Sequence, residues 1–280
     1  MSVRPAAVAG TWYPAKAGAL AREVDDYIER ASDPPRGAIR AIVAPHAGIM
    51  FSGPVGACAY KAAALQQYDL AVLVGPSHFV AFEGVALYPE GAFACPFGPI
   101  AIDAAAAAAI GAADVVRAMP SVHAREHSLE MQLPFLGRLF PGLPIVPLLM
   151  GHQDRPTIER LAQALADGLA SRRALLIAST DLSHYFDAAT AATLDGEVCD
   201  SIAAFSPERL LAVFERYPES ERGRHVGCGM GPAISVMVAA RALGAKEARV
   251  LRYAHSGEVS GDFQGVVGYV AAALGSFDAD

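Results

Sequence analysis

Two apolar segments of the chain end in a similar way, with a histidine one or two residues after a proline. The first, residues 41–46, reads AIVAPH and continues into the glycine-containing stretch AGIMFSGPVG; the second, residues 70–78, reads LAVLVGPSH. A short apolar run bounded by turn residues is typical of a buried β-strand. Two buried strands that each end in an imidazole predict one shared site at the edge of a sheet.

The rest of the chain alternates between strand and helix patterns. Strands are predicted at residues 38–44, 70–74, 84–88, 145–149, 174–178, 249–254 and 266–272, with a short one after the turn in ACPFGPIAID. Helices are predicted at residues 17–31, 54–67, 103–112, 126–140, 154–170, 187–204 and 232–244, with another beginning at Ser206. This alternation predicts an α/β fold with a central, largely parallel sheet flanked by helices. The last two strands lack a helical connection and are predicted to be antiparallel, which makes the sheet mixed.

Composition limits what the chain can be. Hydrophobic residues make up 53% and charged residues 18%, which indicates a folded globule. The formal net charge of −7 and the lack of a basic run disfavour a nucleic-acid partner. No apolar run is long enough for a membrane span, and no secretory signal is apparent. We see no repeat, linker or charge run that divides the chain, so we expect one domain over residues 1–280.

The cysteines indicate a reducing environment. They are Cys58, Cys95, Cys199 and Cys228, and no two of them form a C-x-x-C pair. Widely spaced cysteines without a pairing pattern are typical of free thiols, so we expect a cytoplasmic protein.

Five of the eight histidines follow a predicted strand within one to six residues. These are His46, His78, His152, His184 and His255. Ligands bind at the carboxyl ends of strands in open α/β sheets, so we expect several of these imidazoles to meet at one edge. The placement of His255 is open, because its strand is predicted to be antiparallel. For any single histidine, a loop or capping role is the alternative.

His46, His78 and Cys228 are the candidate metal ligands. Neutral imidazole is a common ligand for zinc, iron and copper. Cys228 lies in VGCGMGP, shortly before a helix predicted to open at Pro232. A thiol near a helix N-terminus is readily a thiolate. The alternative for Cys228 is a small buried side chain in a tight loop.

Asp181, His184 and His127 are the candidate catalytic residues. Asp181 and His184 lie in TDLSHY, where a carboxylate can orient an imidazole for acid–base chemistry. His127, in EHSLEMQLP, is predicted to start a helix and to assist proton transfer. Asp181 could instead cap a turn, and His127 could be an exposed residue at a helix start.

Several segments together resemble the MEMO family. They are APHAGIMFSGPVGACAY, VGPSHF, EHSLEMQLPFL, STDLSHY and CGMGP, with AGTWYP and VVGYVAAAL near the two ends. The family is similar in fold to the class III extradiol dioxygenases, which contain non-haem iron. The resemblance therefore implies a single dioxygenase-like α/β domain with one pocket.

The resemblance also implies which residues form the site and which partners the protein has. The family's metal-ligand positions correspond to His46, His78 and Cys228, and Asp181 and His184 line the same pocket. It implies one bound metal ion, iron or copper, with zinc as an alternative. Family members are described as binding phosphotyrosine-containing peptides and as microbial proteins encoded with a radical-enzyme partner. A small-molecule or peptide ligand in the pocket, and a radical-enzyme partner, are therefore expected.

Three functions remain open on the sequence alone. The first is a metal-dependent oxidoreductase similar to a dioxygenase, with His184 as general acid or base. The second is a metal- or peptide-binding module without turnover, because Cys228 stands where the dioxygenases have a carboxylate. The third is a metal-free hydrolase that uses Cys228 as its nucleophile.

Overall fold

The computed structural model describes residues 2–278. Within that range the strands are β1 (Val3–Arg4), β2 (Gly37–Ala44), β3 (Leu70–Pro76), β4 (Val85–Leu87), β5 (Ala92–Phe93), β6 (Ile100–Ala101), β7 (Val116–Ala118), β8 (Ile145–Met150), β9 (Ala174–Ser179), β10 (His184–Phe186), β11 (Glu247–His255) and β12 (Val266–Phe277). Each predicted strand overlaps one of these.

The helices alternate with the strands along most of the chain. They are α1 (Ala17–Arg30), α2 (Ile49–Ala63), α3 (Ala104–Gly111), α4 (Leu133–Leu139), α5 (Arg155–Leu169), α6 (Ala188–Ala203), α7 (Pro207–Glu215), α8 (Glu219–His225), α9 (Met230–Ala242) and α10 (Gly257–Ser260). Single 3₁₀ turns lie at Pro120–His123 and Glu130–Gln132. Among the described residues, no helix combines the length and apolar character needed to cross a membrane.

The central sheet is mixed, as predicted. Over residues 2–278 it has nine strands in the order β10-β12-β2-β9-β3-β8-β4-β7, with β11 also paired to β12. The central strands β2, β9, β3 and β8 are parallel to one another. The strands on either side, β12 and β4, are antiparallel to β2 and β8. Parallel pairing is therefore concentrated in the middle, where β2, β9 and β3 lie side by side.

The last two strands pair antiparallel, which confirms that prediction. Since β12 is also antiparallel to β2, strand β11 runs in the same direction as β2. Its carboxyl end therefore lies at the same edge of the sheet. A short helix, α10, was not expected in the connection between β11 and β12.

One hydrophobic core serves the described residues, and the central strands lie within it. Every residue of β3, β8 and β9 is buried, as expected for parallel strands covered on both faces. Helix α2 packs on β2 and β12, and α9 packs on β9 and β3. The α/β class with a helix-flanked mixed sheet is thus confirmed.

Several predicted helix starts are confirmed in atomic detail. The side chains of Asp103, Asp154 and Ser206 each accept a hydrogen bond from a backbone N–H in the first turn of α3, α5 and α7. These residues satisfy N–H groups that have no partner within the helix.

The start of α2 was predicted too late. The helix begins at Ile49, and Pro54 lies inside it rather than in its first turn. The Ile49 N–H donates to the carbonyl of Trp12, 2.9 Å away, and the Ser52 hydroxyl donates to the carbonyl of Ala47. Contacts with a distant part of the chain therefore fix this turn, which a local proline signal could not indicate.

The helix predicted over residues 126–140 is also wrong in its first half. Only α4 is α-helical, after the 3₁₀ turn at Glu130–Gln132. The Glu126 carboxylate accepts hydrogen bonds from the backbone N–H groups of His127 and Ser128. An acidic side chain that bonds its neighbouring backbone competes with helix formation, so this segment forms a turn.

Candidate metal centre

Adjacent parallel strands deliver polar side chains to one edge of the sheet. His46 follows β2, Asp181 follows β9 and His78 follows β3. Cys228 comes from the loop before α9, the helix that packs on β9 and β3. Because the carboxyl ends of parallel strands share an edge, segments far apart in the sequence meet here.

The candidate ligand atoms of His46, His78 and Cys228 all lie within 4.8 Å of one another. The Cys228 Sγ is 3.1 Å from the His46 Nε2, and the centroids of the two imidazole rings are 5.2 Å apart. Tetrahedral and trigonal metal sites hold nitrogen and sulfur ligands at about 2.0–2.3 Å from the ion, so ligand atoms this close can share one metal. The predicted ligand set is thus brought together.

The hydrogen bonds around His46 fix its tautomer. The Ser179 hydroxyl donates its proton to the carbonyl of Ser128 at 2.7 Å and accepts from the Gln132 Nε2 at 2.7 Å. Since that hydroxyl has a single proton, its 2.9 Å contact with the His46 Nδ1 requires Nδ1 to be the donor. The Nε2, which faces Cys228, is left with a free lone pair, as a metal ligand requires.

His78 is fixed by a carboxylate instead. Its Nδ1 lies 2.9 Å from the Glu126 Oε1, and its backbone N–H donates to the Glu126 Oε2 at 2.6 Å. An anionic carboxylate accepts only, so Nδ1 carries the proton and Nε2 points away from Glu126. A histidine held by a carboxylate in this way is common at metal sites.

A clamp of polar groups holds the Cys228 loop. The Gln153 side chain donates to the Cys228 carbonyl at 2.6 Å and accepts from the Gly231 N–H at 2.8 Å. The Gly229 N–H donates to the Thr180 hydroxyl at 3.0 Å. A Cβ at position 229 would lie 2.3 Å from the Ser179 carbonyl oxygen, so only glycine fits this close approach.

Burial and neighbouring charges set the protonation of the candidate ligands. Burial lowers the pKa of His46 well below its usual value, so the ring is neutral. Burial also opposes the charged form of His78, but its hydrogen bonds to Cys228 and Glu126 raise its pKa to about 10. Burial raises the pKa of the Cys228 thiol, although the nearby His78 acts in the opposite sense. Metal binding at these atoms would therefore displace protons.

Asp181 lies at the site but does not orient His184. Its carboxylate accepts a hydrogen bond from the backbone N–H of His46 at 2.8 Å, so it shapes the loop after β2. Burial raises its pKa to about 7, even though that N–H favours the anion. The buried His184 Nδ1 has no hydrogen-bond partner among the described residues. The expected hydrogen bond between Asp181 and His184 is absent from this part of the chain, and their catalytic roles remain predictions.

His127 lies against the candidate ligands. Its ring stacks on that of His78 with a centroid distance of 4.5 Å and lies 5.6 Å from that of His46. Burial, together with the charge of His78, lowers its pKa to about 4. It is therefore a buried neutral base at the site and not an exposed residue at a helix start.

The N-terminal segment completes the site. The buried Glu130 carboxylate pairs with Arg4 at 2.5 Å and accepts from the Tyr13 hydroxyl at 2.8 Å. These two contacts hold the N-terminal segment against the site, where the centroid of the Trp12 ring lies 4.4 Å from that of His127. The sequence patterns assign this segment no role at the site.

Three of the strand-end histidines, His152, His184 and His255, do not join the ligand groups found among the described residues. His152 forms a 2.7 Å ion pair with Glu219 at the surface. His255 lies beside Phe263, and its nearby acid is Asp195. The expectation of a convergent set therefore holds for His46 and His78 as candidate ligands, but not for every histidine that follows a strand.

Sequence reasoning missed the residues that orient the ligands. The sequence patterns assign no role to Glu126, Ser179, Gln132 or Gln153. Ser179 and Glu126 lie in the same short segments as Asp181 and His127, which is the signal that could have drawn attention to them. Their partners lie in other loops, so sequence spacing alone could not identify the pairs.

A cavity of about 500 Å³ opens beside the candidate ligands. It is bordered by the loop after β3, the loop after β8, helix α8 and the Cys228 loop. His78 and Cys228 both contribute to its wall. This size is typical of a pocket for a small molecule.

The fold and this edge of the sheet define an α/β protein with a pocket that could hold a metal through two histidines and a cysteine. A family model described as "Memo-like protein" matches residues 4–273. The chain is 36% identical to a MEMO1 family protein of Methanopyrus kandleri, covering 96% of this chain and 97% of the relative. It is 37% identical to a MEMO1 family protein of Methanosarcina mazei, covering 97% and 98%. The chain belongs to the MEMO1 family.

The fold also resembles a solved structure. The crystal structure of an uncharacterized protein from Escherichia coli K12 aligns with a TM-score of 0.60, covering 85% of this chain and 100% of the other. The two sequences are 13% identical, so this similarity concerns the fold alone.

Proposed function

We propose that this protein is a metal-dependent oxidoreductase, similar to the dioxygenases, with His46, His78 and Cys228 as the ligands of one metal ion. The observation that carries the proposal is the convergence of these ligand atoms within 4.8 Å. Both histidines have Nδ1 engaged by a fixed partner, which leaves Nε2 to bind. Such pre-orientation is typical of built metal sites.

The donor set supports iron or copper, with zinc as an alternative. Imidazole binds all three metals, and a thiolate favours softer ions over magnesium or calcium. When bound, the metal would supply Lewis acidity and, for iron or copper, electron transfer. The protein would keep the ligand geometry through Ser179, Glu126 and Gln153.

The residues around the ligands support proton transfer. His127 lies against His78 and is neutral near pH 7, because its pKa is lowered to about 4. Burial lowers the pKa of His184 as well. We assign His127 and His184 to acid–base chemistry and Asp181 to holding the loop of His46. Trp12 covers His127 and limits the access of water.

A second candidate function is a metal- or peptide-binding module without turnover. The specific observation that favours it is Cys228, a thiol where dioxygenases of this fold have a carboxylate. Exposed apolar side chains near the site, including Trp12 and Phe79, offer contact area for a peptide. A metal-free hydrolase is less well supported, because burial raises the pKa of the Cys228 thiol and disfavours the nucleophilic thiolate.

The cysteines and the net charge support a proposal for the compartment and the ligand of the protein. Cys58, Cys95, Cys199 and Cys228 are free thiols, which supports a reducing compartment such as the cytoplasm. We propose a small-molecule or peptide ligand in the cavity rather than a nucleic acid, in view of the net charge of −7. A radical-enzyme partner remains a proposal from the family resemblance.

The test is elemental analysis of the protein as isolated, beside His46→Ala and Cys228→Ser. We expect one equivalent of metal in the wild type and loss of most of it in both variants, with circular dichroism confirming that they fold. Full metal retention in both variants would contradict the ligand assignment. A second experiment separates the two functions. The protein is loaded with iron(II) under anaerobic conditions, a catechol and air are then added, and oxygen uptake is measured. Uptake supports the oxidoreductase, and its absence with bound metal supports the binding module.

A further inference from the structure

We propose that the cavity beside His78 and Cys228 binds a small organic carboxylate, whose carboxylate group pairs with the guanidinium of Arg222. This inference deepens the proposed function, on which it rests for the position of the reacting end. It adds the chemical class of the ligand and the residue that selects it.

The cavity joins the candidate metal ligands to Arg222. His78 and Cys228 form one part of its wall, and Phe214, Arg222 and Gly223 form another. Helix α8, which carries Arg222, packs directly on the ligand loop, since a Cβ at Gly223 would lie 3.9 Å from the Cys228 Cα. A molecule in this cavity can therefore contact Arg222 and the metal ligands at the same time.

The guanidinium of Arg222 is held in place without a carboxylate partner. Its Nε donates to the Tyr217 carbonyl at 3.0 Å, and its central carbon lies 4.9 Å from the centroid of the Phe214 ring. No ion pair of Arg222 occurs among residues 2–278. A pre-oriented guanidinium loses little freedom on binding a planar carboxylate, which it matches with parallel hydrogen bonds.

The surrounding charges favour one negative charge on the ligand. The other ionic groups of the cavity wall outside the candidate ligands, His152 and Glu219, pair with each other at 2.7 Å. Glu215, close enough to act on Arg222 electrostatically, is paired with Arg155. Arg222 is therefore the unpaired cation of the described cavity wall. A phosphate has a second negative charge that Arg222 alone does not balance, whereas a carboxylate carries a single charge.

The chain as a whole does not attract anions. Its formal net charge is −7, so anion binding must come from a local arrangement and not from a general field. A local cation beside an apolar ring and next to a metal position suits a small molecule with an aromatic or aliphatic body. Its carboxylate would lie at Arg222 and its other end beside His78 and Cys228.

The test compares two probes that differ by one carboxylate, catechol and 3,4-dihydroxybenzoate. Each is titrated calorimetrically and anaerobically into the iron(II)-loaded protein and its variants. Arg222→Met keeps an unbranched side chain but removes the charge and the guanidinium that lies over Phe214. Arg222→Lys keeps the charge but lacks the planar guanidinium that can form two parallel hydrogen bonds with a carboxylate. The matched control is Arg224→Met, since Arg224 is exposed, stacks on Phe186 and lies outside the cavity wall.

We expect the wild type and Arg224→Met to bind 3,4-dihydroxybenzoate about tenfold more tightly than catechol. Arg222→Met should bind both probes alike, with its affinity for catechol unchanged, and Arg222→Lys should keep part of the preference. Equal affinities in the wild type, or a preference that survives in Arg222→Met, would overturn the proposal. Circular dichroism establishes that the variants are folded.

A third probe, benzoate, separates this inference from the proposed function. It has no metal-binding diol, so we expect the wild type to bind it with or without metal, and Arg222→Met to bind it at least tenfold more weakly. Failure of the metal-dependent function would appear as catechol binding that does not depend on metal, while benzoate binding still required Arg222. Benzoate affinity that is equal in the wild type and Arg222→Met would refute the carboxylate site.

Discussion

His46 and His78 present the same nitrogen to the same position by opposite means. His46 is buried, with 1% of its surface exposed, and its Nδ1 donates to a neutral hydroxyl, that of Ser179. The side chain of His78 is 27% exposed, and its Nδ1 donates to the carboxylate of Glu126. One ligand is held by a neutral network and the other by a charge.

The two supports differ in what burial costs them. A buried charged partner has to be desolvated, which is costly, whereas a hydroxyl that is already bonded on both sides carries no net charge. Glu126 is itself buried, but it is stabilised by His78 and by backbone N–H groups. These lower its pKa to about 2 against the effect of burial, so it is an anion. A carboxylate raises the basicity of the imidazole and strengthens it as a ligand.

Replacing Glu126 by Gln should have the largest effect. The variant keeps the shape but removes the negative charge that fixes the His78 tautomer. We expect metal affinity to fall by about 10–100-fold, the usual result of losing such a partner. Competition with a chromogenic chelator measures this. As the control, Glu159→Gln alters an exposed acid on α5 and should leave the affinity unchanged. An unchanged affinity in Glu126→Gln would mean that the carboxylate does not tune His78.

Ser179→Ala should have a smaller effect on the metal and a clear effect on stability. It removes the acceptor for the His46 Nδ1 and leaves the Gln132 amide and the Ser128 carbonyl each short of a partner. We expect the free energy of unfolding to fall by about 1–3 kcal/mol. Chemical denaturation measures this. Metal affinity should fall by about tenfold or less, because Nε2 can still bind after the ring reorients.

Ser121→Ala, at an exposed position, is the control for that experiment. If Ser179→Ala weakened metal binding more than Glu126→Gln, the contrast between a neutral and a charged support would be wrong. The same measurements on the double variant show whether the two supports are coupled, as expected because Ser128 contacts both: its carbonyl accepts from Ser179 and its N–H donates to Glu126.

The smallest effect is expected for Gln153→Ala, which tests the third ligand. Gln153 holds the backbone of the Cys228 loop and does not touch the thiol itself. We expect metal affinity to fall by a few-fold, about 0.5–1.5 kcal/mol for a lost neutral hydrogen bond. The thiolate-to-copper charge-transfer band should also shift as the sulfur loses its fixed position. Gln163→Ala, on the exposed face of α5, should change neither property.

Much of the fold could be predicted because its signals are local. Apolar runs such as Leu70–Pro76 predicted buried strands, since every residue there is covered by other layers. Capping residues such as Asp154 marked helix starts, because their side chains bond the first turn of their own helix. Where the start depended on a distant contact, as for Ile49 and the carbonyl of Trp12, the prediction was wrong.

The candidate ligands were also predicted from the sequence, but the residues that support them were not. The positions of His46, His78 and Cys228 were identified from strand ends, a glycine-rich loop and the family resemblance, and the structure brings them together. The residues that hold them, Ser179, Glu126 and Gln153, were not identified, because each lies in a different segment from its ligand. Asp181 and His184 are close in sequence, yet Asp181 bonds the backbone of His46.

The sequence by itself determined which strands end in an imidazole and that a cysteine precedes a later helix. These features depend on residue type and on periodicity along the chain, which any reader of the sequence can find. Only the tertiary structure decided that Ser179 supports His46 and Glu126 supports His78. Those hydrogen bonds join a strand end and loops that meet when the strands β2, β9 and β3 align in parallel. Sheet order and loop paths, which no local pattern encodes, therefore determined the protonation and orientation of the candidate ligands.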